Sequence, residues 1–185
     1  MERTTGPARL AVSRSSRTRG GATKGLIVYQ SWWGSCQKIA ETIGAGLAES
    51  GHEVDVVPVD QAPSPDPALD FVVIGAATRW PGARPKIKRC AKKYAKALPG
   101  IPFAAFSTGG TLFDEKPNTQ ASELIHDILE QDGLKPLSGP LKIGLEGYKP
   151  PPKLEKGALP DSEIERARDF GREIGARLAG TPHSA

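Results

Sequence analysis

The chain reads as one α/β domain, a doubly wound five-stranded parallel sheet with helices on both faces. Short apolar runs of strand length alternate with amphipathic stretches of helix length. The connections between them are mostly short and rich in Gly and Pro. The central run, Phe71–Gly75, is apolar without alternation, as a strand covered on both sides must be. At 185 residues, 38% hydrophobic and 25% charged, the chain has the size of one domain and enough length for a core.

The first strand is expected at Leu26–Gln30. The first helix is expected from about Ser35 to Ser50, with Ile39, Ile43 and Leu47 on one face and Gly51 as its stop. Glu53–Pro58 follows as the second strand, then a proline-rich connection over 59–68 and the third strand, Phe71–Gly75. Pro85 suits the opening turn of a second helix, whose apolar stripe is Ile87, Ala91, Tyr94, Ala95 and Leu98. The fourth strand is expected at Pro102–Ser107, closed by a turn at Gly109-Gly110. The third helix spans about Thr119–Gln131, with Leu124, Ile125, Ile128 and Leu129 inward. Leu141–Leu145 is the fifth strand, and a loop over 147–160 leads to the last helix. That helix opens with a capping-box pattern at Ser162–Glu165 and buries Ile164, Ala167, Ile174 and Leu178.

Residues 1–23 are rich in Arg, Ser, Thr and Gly and are expected to be a disordered basic tail. The domain proper is 24–180, and 181–185 are expected to be a disordered C-terminus. The net charge of +4 hides this division. Residues 1–24 hold six basic residues and one acid; the remainder holds 19 basic and 20 acidic residues. No apolar run is long enough for a transmembrane segment. Cys36 and Cys90 make neither a metal spacing nor a disulfide framework, so a reducing cytoplasm is the expected setting.

Much chemistry is excluded by what is missing. No Gly-x-Gly-x-x-Gly follows a strand, and no Gly-Lys-Ser/Thr marks a nucleoside-triphosphate loop. His52, His126 and His183 are scattered and read as surface or turn residues. No nucleophile triad and no metal set assembles, so no catalytic residue and no metal is assigned. The stretch that does carry chemistry is Ser31-Trp32-Trp33-Gly34-Ser35-Cys36, between the first strand and its helix. Backbone N–H groups and the positive end of the helix dipole converge there, with Ser31 and Ser35 as added donors and Gly34 easing the turn. It is a place to hold a phosphate. Cys36 at a helix N-terminus is expected to have a lowered pKa, although a bound phosphate would favour its thiol form.

Three loops follow carboxyl ends of strands, where open α/β sheets bind ligands. In order and content they resemble the flavodoxin family. Ser31–Cys36 is similar to the family's phosphate motif, Ser/Thr-x-Thr/Tyr-Gly-x-Thr, with Cys36 in place of the last threonine. Gly75–Gly82, containing Ala77, Thr78, Arg79 and Trp80, stands in the place of the Gly-Ser-Pro-Thr-Tyr loop. Phe106–Thr111, containing Ser107, Thr108, Gly109 and Gly110, stands in that of the third flavin-contacting loop. Ala167–Ile174 resembles the family's closing helix. The resemblance implies strand order 2-1-3-4-5 and FMN as cofactor, held without lysine by amides and hydroxyls. It also implies Trp80 as first choice for the ring platform, Trp33 over the ribityl or ring side, and amides of Gly109 and Gly110 toward the pyrimidine oxygens.

The pattern Ile74-Gly75-Ala76-x-x-Arg79-Trp80 also resembles flavodoxin-type menaquinone-dependent protoporphyrinogen oxidase, although the long insertion after strand four is missing. Residues 79–96 hold Arg79, Arg84, Lys86, Lys88, Arg89, Lys92, Lys93 and Lys96 with no acid among them. Such a field favours a negatively charged redox partner protein or a quinone-type small molecule; no nucleic acid is expected, and peripheral membrane contact stays open. Three readings stand: an FMN-binding electron-transfer protein, an FMN-dependent quinone reductase or protoporphyrinogen-oxidase-like enzyme, and a cofactor-free interaction module of the same fold.

Overall fold

The computed structural model describes residues 8–10, 22–78, 82–110, 120–149 and 155–180. Its strands are β1 (Ala8–Leu10), β2 (Lys24–Gln30), β3 (Glu53–Pro58), β4 (Phe71–Ala77), β5 (Pro102–Gly110), β6 (Lys135–Pro136) and β7 (Leu141–Leu145). Its helices are α1 (Ser35–Glu49), α2 (Pro85–Ala97), α3 (Ala121–Gln131) and α4 (Asp161–Gly180). The strands β3-β2-β4-β5-β7 lie side by side and parallel, which is the expected order 2-1-3-4-5.

Period-two alternation sorts the core into two layers. On β4, Val72 and Ile74 face α2 and α3, while Phe71 and Val73 face α1 and α4. On β5, Phe103 and Ala105 go to the first layer, and Ala104 and Phe106 to the second. The helix stripes read from the sequence are the ones buried: Ile39, Ile43 and Leu47 on α1, and Ile87, Ala91, Tyr94 and Ala95 on α2. Tyr94 is buried because its hydroxyl finds an acceptor, the Pro63 carbonyl, at 2.7 Å. The proline-rich connection thereby gains a partner in the core.

Several boundaries differ from expectation. Gly109 and Gly110 are not a turn; they extend β5 and pair with Gly144 and Leu145 of β7. The same edge of β5 is shared, because β6 pairs with Pro102 and Phe103 near its start. Two-residue β6 carries no periodicity to detect. The capping box forms at α3: the Gln120 N–H donates to Glu123 Oε2 at 3.0 Å, and the Gln120 side chain accepts from the Glu123 amide. At α4 the Pro160 carbonyl instead accepts from Glu163 and Ile164.

Within the stretch expected to be a disordered tail, Ala8–Leu10 pair antiparallel with β3. Backbone pairing along an open sheet edge needs little apolar burial. The rest of residues 1–21, and 181–185, lie outside the described residues. His52 is no surface residue: at 3% exposure it lies between Thr23 Oγ1 (2.7 Å) and the Gly175 carbonyl (2.9 Å), pinning α4 to the start of β3. Two hydrogen-bond partners made that burial tolerable.

Candidate functional site

At the carboxyl end of the sheet, where the chain leaves β2 in one direction and β4 in the other, a narrow cleft opens to solvent. Ser31, Trp32, Trp33, Ser35 and Cys36 line one side, with Ala77 and Thr78 after β4, Thr108 and Gly109 on β5, and Leu145 and Tyr148 after β7. Three loops separated by up to 78 positions therefore meet at one place, as the sequence led us to expect.

The β2–α1 loop is shaped for an anion. Gly34 has φ +89°, a left-handed turn that starts α1, and its N–H donates to Ser31 Oγ at 3.0 Å. That bond uses the acceptor side of Ser31 and leaves its proton to give. No side chain caps α1, and no acid stands in its first turn. The first intrahelical bond is Lys38 N–H to the Gly34 carbonyl, so the amides of Ser35, Cys36 and Gln37 have no helical acceptor.

Beneath this loop sits a thiol and a hydroxyl. Cys36 is buried, and burial raises its thiol pKa far above the ordinary value. The Thr108 hydroxyl and the Gln30 backbone pull weakly the other way. The expectation of a lowered pKa is thus overturned, since desolvation outweighs the helix dipole. The thiol form is kept nonetheless. The hydroxyl of Thr108, at 1% exposure, stands against that thiol and meets no oxygen or nitrogen partner.

Other expected residues play different parts. The Thr78 N–H donates to the Thr108 carbonyl at 2.7 Å, and its hydroxyl donates to Gln120 Oε1 at 2.8 Å while accepting from Ala121 N–H at 3.0 Å. The N–H and the hydroxyl of Thr78 are thus both committed to tying β4, β5 and α3 together. Ser107 does not reach the cleft: alternation turns it toward α3, where its Oγ lies 2.8 Å from Ser122 Oγ. Gly110 lies beneath Tyr148, and a Cβ there would stand 2.6 Å from the tyrosine ring. The expectations for Arg79 and Trp80 lie outside the described residues.

Leu145 and Tyr148 were missed by the sequence reading, which weighed the loops after the first, third and fourth strands only. The loop after the fifth strand ends at the same face, and its single aromatic was the available signal. Trp33 and Tyr148 have centroids 6.4 Å apart at 57°. A flat ring held between two parallel faces needs about 7 Å, two contacts of about 3.5 Å. At this tilt the pair forms no slot; a ring in the cleft lies against one face. Trp32 is 58% exposed, with the Arg84 guanidinium 5.0 Å from its ring centroid.

Fold and cleft together define an open α/β domain with a cleft at the switch in strand order, where an uncapped helix N-terminus stands beside an apolar wall. A family model for the flavodoxin domain matches residues 26–139, and the chain belongs to that family. Among solved structures it is similar to a flavodoxin from the domain Archaea, at 19% identity and a TM-score of 0.67, covering 84% of this chain and 98% of that one. It is also similar to oxidised Flavodoxin 1 from Bacillus cereus, at 18% identity and 0.65, covering 82% and 97%. The rubredoxin oxygen:oxidoreductase from Desulfovibrio gigas matches at 16% and 0.66, covering 85% of this chain but 36% of that longer one. A search of curated sequences finds no match.

The family's cofactor is FMN. The uncapped turn of α1 and the lysine-free donor set of Ser31, Ser35 and amides fit a phosphate ester. Ala77, Leu145, Trp33 and Tyr148 fit a flat apolar ring. Among the described residues no cluster suits a metal ion.

Proposed function

We propose that this chain binds FMN in the cleft and acts in electron transfer with a negatively charged redox partner. The observation that carries this reading is the pairing of an uncapped helix N-terminus with an apolar wall, at the sheet's switch point. Bound FMN supplies one- and two-electron redox chemistry. The chain's share is placement. The first-turn amides of α1 and the hydroxyls of Ser31 and Ser35 hold the phosphate. Tyr148, seated on Gly110, and Leu145 and Ala77 give the ring an apolar bed that excludes water from one side. Because Cys36 stays protonated, no second negative charge competes at the phosphate seat. Thr78 holds the loop after β4 in register with β5 and α3, so that the wall keeps its shape.

The setting we infer is the cytoplasm; both cysteines are free, and no helix among the described residues is long and apolar enough to cross a membrane. The acidic or anionic character of the partner rests on the basic segment around α2. A quinone-reducing or tetrapyrrole-oxidising enzyme rests on Arg79 and Trp80, and no described contact favours it. The test is the absorption spectrum of protein purified without added cofactor. Bound flavin bands at one equivalent per chain support the reading; a colourless protein that gains no thermal stability in excess FMN overturns it.

A further inference from the structure

The row of positive charge on α2 runs against the helix that carries it. Arg84 at its N-cap and Lys86 and Lys88 in its opening turns stand at the positive end of the dipole, where acids are favoured, and no acid is present there. Lys88 and Lys92, Arg89 and Lys93, and Lys92 and Lys96 are like-charged neighbours four residues apart. Among the described residues only Lys86 of this row has an ion pair, with Asp60. Apart from Arg84, which lies over Trp32, the rest of the row has no ion pair among the described residues, and the helix packs through Ile87, Ala91, Tyr94 and Ala95. A surface that repels itself in isolation is relieved by a counter-charge.

We propose that the outward face of α2, continued by Arg84 and the exposed Trp32 at the rim of the cleft, is the docking surface of an acidic redox protein. The proposal rests on the electron-transfer reading and adds the place and chemistry of contact. Arg84 lies over Trp32, and Trp32 lines the cleft, so the basic row leads to the site without a break. Trp32, the one exposed large hydrophobic among the described residues, gives the contact an apolar centre beside a charged rim. A membrane is disfavoured because the apolar face of α2 is spent on the core, and Trp32 alone among the described residues is a small area to insert. An extended polyanion is disfavoured because, outside residues 1–24 and 79–96, the chain holds 11 basic against 20 acidic residues. A compact acidic partner meets the positive face alone.

The test uses full-length, FMN-loaded protein and three probes: a polyglutamate peptide, phosphatidylserine vesicles and single-stranded DNA, each followed by calorimetry. The peptide is expected to bind, and to bind more weakly as salt rises from about 20 to about 200 mM. The variant R89E/K92E/K93E, at exposed positions, is expected to weaken it by about tenfold or more, and the R14Q/R17Q/R19Q tail variant to leave it unchanged. Weakening by the tail variant alone overturns the proposal, as does tighter binding of vesicles or DNA than of peptide. Flavin absorbance is read in the same samples. Loss of flavin in the parent protein breaks the electron-transfer reading; loss of peptide binding with flavin retained concerns the docking surface only.

Discussion

Gly34 and Cys36, two positions apart, show how single residues shape the proposed anion seat. Gly34 has φ +89° with open space where a Cβ would go, so Gly34→Ala meets strain and no clash. It is expected to cost about 1–2 kcal/mol in urea denaturation and to weaken FMN binding, because the strain is relieved by shifting the α1 amides. Cys36 makes a pH prediction. Its thiol ionises at 9.0 when unfolded and much higher when folded, so the folded chain keeps a proton that the unfolded one loses. The stability this adds is complete below pH 9.0 and declines as pH rises above it. Burial also pushes Cys90 up to about 11 and Tyr94 up to about 12, so they act in the same direction. Denaturation curves across alkaline pH are expected to show Cys36→Ser with a shallower decline than the parent; equal slopes would contradict the assignment. The seat itself was legible in the sequence, because Ser31–Cys36 carries its donors contiguously. Tyr148 was not, since its place over Gly110 depends on where β7 ends.

Among the elements, α1 and α4 are held closer than side chains would allow. A Cβ at Gly46 would lie 2.2 Å from the Arg168 carbonyl, and one at Gly171 2.3 Å from that of Ile43. Glu49 then bridges Arg168 at 2.6 Å and Arg172 at 2.7 Å across the helix pair, and its carboxyl pKa is lowered mainly by the Arg172 hydrogen bond. Gly46→Val is expected to cost about 1–3 kcal/mol by overpacking, read by thermal melts. Gly139→Ala, where a Cβ meets nothing, is the neutral control. Periodic elements were readable because burial imposes the period: the stripes of α1 and α2 and the apolar run of β4 lie where the pattern put them. Gly109-Gly110 was misread because two glycines signal a turn locally. Their reason is three-dimensional: a Cβ at Gly109 would come within 3.1 Å of Thr78 Cβ, and one at Gly110 closer still to Tyr148. The two strands β1 and β6 are too short to carry a pattern.

For the molecule as a whole, topology gathers cleft-lining segments that lie far apart in the chain, and charge divides the sequence into a basic stretch around α2 and an acidic remainder. Both were visible beforehand, one in the alternation of strand and helix, the other in residues 79–96. The central claim is that the phosphate of FMN sits at the start of α1, and titration of the purified chain with FMN and, separately, with riboflavin tests it. Losing even two charge-assisted hydrogen bonds, at about 1.5–3 kcal/mol each, weakens binding by roughly 100-fold or more. FMN is therefore expected to bind one to one with quenching of its fluorescence, and riboflavin at least about 100-fold more weakly. Equal affinity for the two, or no binding of either, would contradict the account.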